Sequence, residues 1–283
     1  MNKCGTLYIC PTPIGNLEDM TLRTIRILNE VDLIAAEDTR HSRKLLNHLE
    51  IDTKMISYHE HNKFKVEDSI IYKLKDGLNI ALISDAGMPG ISDPGEEIIK
   101  RAIEEGIELY CLPGPSALVN AVVLSGLSTR RFAFEGFLDR NKKERKQRLE
   151  RIKYDDRTLI FYEAPHRLKD TLKDMLEILG DRNIVCAREL TKKFEEYKRF
   201  KISEMLNIYS SAENPRGEYV VVVEGASEEE YQKILDSEFD SLSIEEHIVK
   251  LVDEGMRKKD AVKEVAKLRK IPKSDVYKYS IDL

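Results

Sequence analysis

The chain has 283 residues, of which 41% are hydrophobic and 34% charged, and its formal net charge is -5. That length allows two compact domains and an appendage, and the apolar fraction supports real cores. The negative balance excludes a general basic coat for nucleic acid, so a polyanion has to meet a local patch. From the N-terminus, strand and helix signals alternate. Short apolar strands are predicted over 6–10, 31–36, 54–57, 80–83 and 107–111. Helical spacing falls between them, over 20–29, 40–49, 66–75 and 96–104. Repeated β/α order implies a largely parallel sheet covered on both faces.

A second half begins near Pro113. Helices are predicted over 116–124, 142–151 and 166–179, the last with Pro165 at its entrance, where a missing N–H costs nothing. Strands are predicted over 132–137, 158–162, 183–188 and 219–223. A further strand over 197–202 would make this sheet mixed. Residues 227–240 are acidic, with Lys233 the one basic residue, and read as a linker. The tail then turns amphipathic over 244–252 and 257–268, with a short helix opening at Pro272. The fold class expected is therefore α/β. It comprises an N-terminal α/β domain over 1–113, a second over 114–225, a linker over 226–240 and a helical extension over 241–283 resembling a helix-turn-helix.

The cysteines, Cys4, Cys10, Cys111 and Cys186, form no CxxC, and no Cys/His cluster has zinc-ligand spacing, so no metal site is expected. Cys10, Cys111 and Cys186 lie in strand-like runs, where a buried free thiol is the default. The chain leads straight from Met1 into a strand without an apolar signal segment, and no apolar run reaches the length of a membrane span. The expectation is a soluble cytoplasmic protein with no membrane partner.

Chemistry concentrates at strand ends. The segment Ile83–Gly95 holds three glycines, two prolines and two Ser-Asp pairs within thirteen residues. Glycine lets backbone approach a ligand closely, proline fixes the turns, and Ser and Asp offer oxygens. Leu112-Pro113-Gly114-Pro115-Ser116-Ala117 follows the next strand. Two such loops after successive strands point to one ligand at the carboxyl ends of a sheet. No GxGxxG follows the first strand and no GxxxxGK[ST] occurs, which argues against dinucleotide and P-loop sites. Glu37-Asp38-Thr39-Arg40-His41 ends the second strand as either a reactive cluster or a helix cap with an ion pair. Glu163-Ala164-Pro165-His166-Arg167 ends another, its His and Arg set against the helix dipole. Two stretches are basic. Residues 140–153 carry eight basic residues against Glu144 and Glu150, and residues 256–280 carry nine against Asp260, Glu264 and Asp275, a formal +6 each. Beside a ligand site they favour a polyanionic substrate, most simply RNA.

Taken in order, these motifs carry a resemblance. Thr12-Pro13-Ile14-Gly15-Asn16-Leu17, Glu37-Asp38-Thr39-Arg40, Ser84-Asp85-Ala86-Gly87 with Ser92-Asp93-Pro94-Gly95, and Pro113-Gly114-Pro115-Ser116-Ala117 are followed by three more. Those are Phe134-Glu135-Gly136-Phe137, Tyr162-Glu163-Ala164-Pro165-His166-Arg167 and Ala187-Arg188-Glu189-Leu190-Thr191-Lys192. Over residues 5–225 the chain resembles the tetrapyrrole methylase superfamily, in its branch that methylates small-subunit ribosomal RNA. The resemblance implies two α/β domains with S-adenosyl-L-methionine in the cleft between them, a homodimer, and 2'-O-methylation of a cytidine in 16S rRNA or the small ribosomal subunit. It implies that Asp85, Ala86, Gly87, Met88, Ile91, Ser116 and Ala117 line the cofactor site. Thr12 and Pro13 would approach from the first loop, and Tyr162 and Leu190 from the second domain. Met88 stands where the family commonly has Thr, Asp139 where it has Pro, and Ser128 where it has Pro.

A ribose 2'-OH is a poor nucleophile, so a nearby base or cation should assist it. Asp38, Glu163 and His41 are the candidate proton acceptors, and Arg40 and Lys192 the candidates for orienting ribose or phosphate. Arg140, Lys142, Lys143 and Arg145, with Lys258 and Lys259 of the tail, are the candidate RNA contacts. Two rivals keep the cofactor loops: a corrin or tetrapyrrole C-methyltransferase, and a non-catalytic RNA-binding protein that senses S-adenosylmethionine. A nucleotide-dependent oxidoreductase is disfavoured by the missing glycine fingerprint.

Overall fold

The computed structural model describes residues 4–211, 216–227, 229 and 230, 242–253, 255–269 and 271–280. The first half is a five-stranded parallel sheet of β1 (Thr6–Ile9), β2 (Leu33–Ala36), β3 (Met55–Ser57), β4 (Ile80–Ile83) and β5 (Glu108–Cys111), in the order β3-β2-β4-β1-β5. Helices α1 (Leu22–Glu30), α2 (Thr39–His48), α3 (Lys63–Lys75) and α4 (Gly95–Glu104) connect the strands. Side chains alternate across the sheet. Leu33 and Ala35 join one core with Leu7, Ile70 and Ile98, whereas Ile34 and Ala36 join the opposite one with Leu28 and Leu46. Burial on both faces is why these strands read as unbroken apolar runs. β5 is an edge strand, and its Cys111 is exposed, which corrects the expectation of a buried thiol there. Cys10 and Cys186 are buried free thiols, and burial pushes each up to about 12.

After α5 (Ala117–Ser125) comes a second five-stranded sheet, β6-β7-β10-β8-β9. Its strands are β6 (Phe132–Phe137), β7 (Thr158–Glu163), β8 (Asn183–Arg188), β9 (Glu196–Lys201) and β10 (Tyr219–Val223). β6 and β7 are parallel, and the other pairs are antiparallel, so the sheet is mixed. Helices α6 (Lys142–Ile152), α7 (Leu168–Leu179) and α8 (Ile202–Ser211) cover one face, packing on Leu159, Phe161, Val221 and Val223. The other face, with Ile160, Val185, Val220 and Val222, receives Ala121 and Val122 of α5 and Ile14 of the first loop. Ile14 thereby locks the strand ends of the parallel sheet against the mixed one.

The sequence pattern misses α8 altogether, although Ile202, Met205 and Tyr209 are buried at helical spacing. α7 begins at Leu168 rather than at residue 166, because the chain turns through Ala164–Arg167 first. The tail forms α9 (Ile244–Asp253), α10 (Lys258–Leu268) and α11 (Lys273–Lys278) around Ile248, Ala261, Val262, Val265 and Val276. Of the expected acidic linker over 226–240, residues 228 and 231–240 lie outside the described residues. No described helix is long and apolar enough to cross a membrane.

Candidate active site

The loops at the ends of β1, β4 and β5 are tied together by backbone. Thr12 and Gly87 exchange N–H···O=C bonds of 2.9 and 3.0 Å, and the Thr12 hydroxyl donates to the Ser84 carbonyl at 3.0 Å. Gly87 is required there. Its φ of +79° lies in the left-handed region, and a Cβ would approach Ile14 Cγ2 at 3.2 Å. A Cβ on Gly114 would fall 2.7 Å from Pro11, so the third loop also needs glycine to lie on the first. Asp93 fastens the far end of the loop, accepting from the backbone N–H groups of Gly90 at 2.9 Å and Gly95 at 2.8 Å.

These loops form one wall of a cleft of about 480 Å³, with the mixed sheet as the other wall. Asp85, Ala86, Gly87, Met88, Ile91, Ser116 and Ala117 line the first wall, and Tyr162 and Leu190 the second. Thr12, an expected cofactor contact, is buried and positions the loops instead, lining neither cleft. Pro13 lines a second cleft, of about 500 Å³, that shares Ile14, Asp85, Ala86 and Glu218 with the first. Met88 packs beside the core with its sulfur 3.7 Å from Cys111 Sγ.

Glu37, Ser84, Asp93 and Phe137 also line the cleft; the sequence motifs contained all four without singling them out as cofactor contacts. Glu37 stands at the end of β2, where its neighbour Asp38 turns away. Burial, and then the nearby Asp85 charge, raise the Glu37 carboxyl above its usual range. Burial likewise raises Asp93, against the backbone N–H groups that favour its charge. Phe137 and Tyr162 meet edge to face at 5.5 Å, and burial pushes the Tyr162 phenol up.

The expected catalytic residues fare unevenly. Asp38 caps α2, accepting from the Arg40 N–H at 2.8 Å and from the Arg40 guanidinium at 3.1 Å. That guanidinium holds its carboxyl down at about 2, a poor base, and neither residue lines a cleft. Glu163 reaches the cleft wall but is 2% exposed. It accepts from the Ala164 N–H and the Thr171 hydroxyl and forms an ion pair with the Arg167 guanidinium. Arg167 also donates to the Leu138 and Asp139 carbonyls, a structural role that answers its position near the N-terminus of α7. His41 and Lys192 line the second cleft. Burial opposes the Lys192 charge, but hydrogen bonds from its ammonium to Glu218 and Glu189, both 3.0 Å, raise its pKa overall, so it is a fixed cation.

Of the expected RNA contacts, Arg140, Lys142, Lys143, Lys258 and Lys259 are exposed. Arg145 is not, which corrects that expectation. It is buried on the inner face of α6 and pairs with Asp174 at 2.7 Å. Among the described residues no His/Cys/Asp/Glu group has the arrangement to hold a metal ion.

A parallel sheet whose glycine-proline loops face a mixed sheet across a cleft that carries Glu37, Asp85 and Asp93 defines an α/β protein built around a small ligand. The chain belongs to the tetrapyrrole (corrin/porphyrin) methylase family, whose model matches residues 6–206. It is 51% identical to the ribosomal RNA small subunit methyltransferase I of Halalkalibacterium halodurans over 274 residues, covering 96% of this chain and 93% of that one. It is 50% identical to the Bacillus subtilis protein of the same name, with the same coverage, and 43% identical to that of Synechocystis, covering 99% and 98%. Among solved structures, uroporphyrin-III-C-methyltransferase from Thermus thermophilus superposes with a TM-score of 0.54 at 18% identity, covering 78% of this chain and 94% of that one. Diphthine synthase gives 0.58 at 12%, covering 81% and 95%. Those two likenesses speak for the fold alone.

S-adenosylmethionine is the methyl donor of this family, and the residues present fit it. The volume is that of a small-molecule cleft. The carboxylates Asp85 and Asp93 complement its positive charges, Phe137 and Tyr162 supply aromatic surface, and Gly87 lets backbone come close.

Proposed function

We propose that this protein transfers the methyl group of S-adenosylmethionine to the ribose 2'-oxygen of a cytidine in 16S rRNA of the small ribosomal subunit, and that it does so in the cytoplasm as a homodimer. The observation that carries this reading is the 51% and 50% identity, across 96% of the chain, to relatives named for ribosomal RNA small subunit methylation. Two adjoining clefts support it, one suited to the cofactor and one lined by His41, Lys44 and Lys192.

When bound, S-adenosylmethionine supplies a methyl group on a ready leaving group, so alignment is the main task left to the protein. Asp85 and Ala86, common to both clefts, hold the point where donor and acceptor meet. Glu37 beside them is the best-suited proton acceptor. With the cofactor bound, Glu37 would take the proton of the 2'-hydroxyl as the methyl carbon exchanges its bond to sulfur for one to oxygen and the thioether leaves, and its raised pKa makes its carboxylate a stronger base than that of Asp38. Phe137 and Tyr162 exclude water from the cofactor side, and Glu163, held by Thr171 and Arg167, keeps Tyr162 in register. Lys192 and His41 orient ribose or phosphate in the second cleft. The exposed Lys142, Lys143, Lys258 and Lys259 add long-range attraction for RNA. Val119 and Val123, one turn apart on α5 and 46% and 62% exposed, offer an apolar face for the second copy.

The test offers methyl-labelled S-adenosylmethionine with three acceptors: small-subunit RNA, the assembled small subunit, and a corrinoid. Label in RNA or subunit is expected. Label in the corrinoid alone identifies the C-methyltransferase rival, and cofactor binding without transfer identifies the sensor.

A further inference from the structure

We infer that the second cleft receives the acceptor nucleotide turned out of its stack, and that α2 carries the adjoining phosphates through Arg43 and Lys44. This rests on the RNA-methylation reading and adds where, and in what conformation, the RNA is held.

The cations of the two flanking helices differ in what they are free to do. On α6, Arg145 pairs with Asp174, Lys146 with Glu177 and Arg148 with Glu135, and Lys153 just past its end pairs with Glu150. Much of that strongly basic run is therefore already neutralised. α2, by contrast, contains Arg40, Arg43 and Lys44 and no acid at all. Arg40 is engaged by Asp38. Arg43 and Lys44 are exposed, and neither has a hydrogen-bond or ion-pair partner among the described residues. Lys44 lines the second cleft and Arg43 is its neighbour on the same helix, so unpaired cations stand where a polyanion entering the cleft would pass.

The cleft itself suits one nucleotide. His41, Lys44 and Leu45, at helical spacing on α2, form one side, and Pro13, Ile14 and Leu17 of the first loop form an apolar side. Leu17 is 42% exposed there, surface available to the face of a base. Because the cleft shares Asp85 and Ala86 with the cofactor site, a nucleotide seated in it presents its ribose to the transferable methyl. A duplex cannot enter a concavity of about 500 Å³, whereas a nucleotide splayed out of a single-stranded segment can.

The experiment measures RNA binding and methyl transfer for three variants of the full chain. Arg43→Glu with Lys44→Glu alters the α2 surface, Leu17→Trp fills the cleft, and Lys146→Gln with Arg148→Gln provides an α6 comparison at cations already paired with Glu177 and Glu135. The α2 pair is expected to weaken single-stranded RNA binding at least tenfold. It should lower the slope of log affinity against log salt by about 1.4, two contacts at about 0.7 each. Leu17→Trp is expected to raise the KM for RNA at least tenfold. Cofactor Kd should stay within threefold in all variants, and the α6 pair should cost less RNA affinity than the α2 pair. The native chain should methylate an unpaired cytidine at least tenfold faster than the same cytidine in a duplex. Unchanged RNA affinity and salt slope in the α2 pair, or equal rates on duplex and unpaired RNA, would overturn the inference while native transfer to RNA upholds the reading beneath it. Absence of transfer to any RNA by the native chain would overturn both.

Discussion

The side chain of Glu37 accepts a hydrogen bond of 3.4 Å from the backbone N–H of Asp85, joining the ends of β2 and β4 across the floor of the cofactor cleft. The contact holds a carboxylate in a partly desolvated place next to a second carboxylate. In the proposed reaction the proton acceptor is therefore Glu37, while Asp38, next to it in sequence, is occupied with capping α2.

Glu37→Gln should lower kcat about 100-fold, the usual weight of a positioned base, with cofactor Kd within threefold. Asp38→Asn keeps a capping oxygen and should retain turnover within a few-fold. Stability should move the other way. Folding raises the Glu37 pKa above its ordinary 4.5, so the folded state holds that proton more tightly than the unfolded chain. Its favourable contribution is full below about pH 4.5 and is lost as pH rises through the folded value. At neutral pH the charged group is a cost, so Glu37→Gln should raise Tm at pH 7, and the gain should disappear in acid. A Tm measured against pH for both proteins checks the sign.

Arg145 and Asp174 form a pair whose side chains are 6% and 2% exposed. Arg145→Ala leaves a buried carboxylate alone and should cost roughly 3–5 kcal/mol. Arg145→Met with Asp174→Leu should recover most of that. Denaturant unfolding measures both, and the salt dependence of RNA binding should be unchanged in the stable double variant, since Arg145 faces inward.

Gly87→Ala should weaken S-adenosylmethionine binding at least tenfold in titration calorimetry. The substitution forces a Cβ into a left-handed backbone against Ile14 and disturbs the Thr12–Gly87 bridge that shapes the cleft.

The sheets were legible in the sequence because a parallel strand buried on both faces must be apolar throughout, as Leu33–Ala36 and Ile80–Ile83 are, and because glycine and proline mark where such strands end. The loops that line the cleft were legible for the same reason. Helix α8 was not, since it starts directly after β9 with no turn residue to announce it. Arg145 was misread from charge alone, although it lies at the helical spacing of buried Leu149 and Ile152, which would have set it on the inner face. What the sequence could not reveal is how charges spend one another across elements. The α6 cations meet carboxylates from β6 and α7 far along the chain, and Lys192 meets Glu218, so a count of basic residues overstates α6 and overlooks α2.

The most direct test of the function is the identity of the methylated nucleoside. Small-subunit RNA lacking the modification is treated with the protein and S-adenosylmethionine, digested to nucleosides and analysed by mass spectrometry. A single new 2'-O-methylcytidine, absent with Glu37→Gln over the same time, is expected. A methyl group on a base, or RNA left unmethylated while a corrinoid is methylated, would contradict ribose methylation by this cleft.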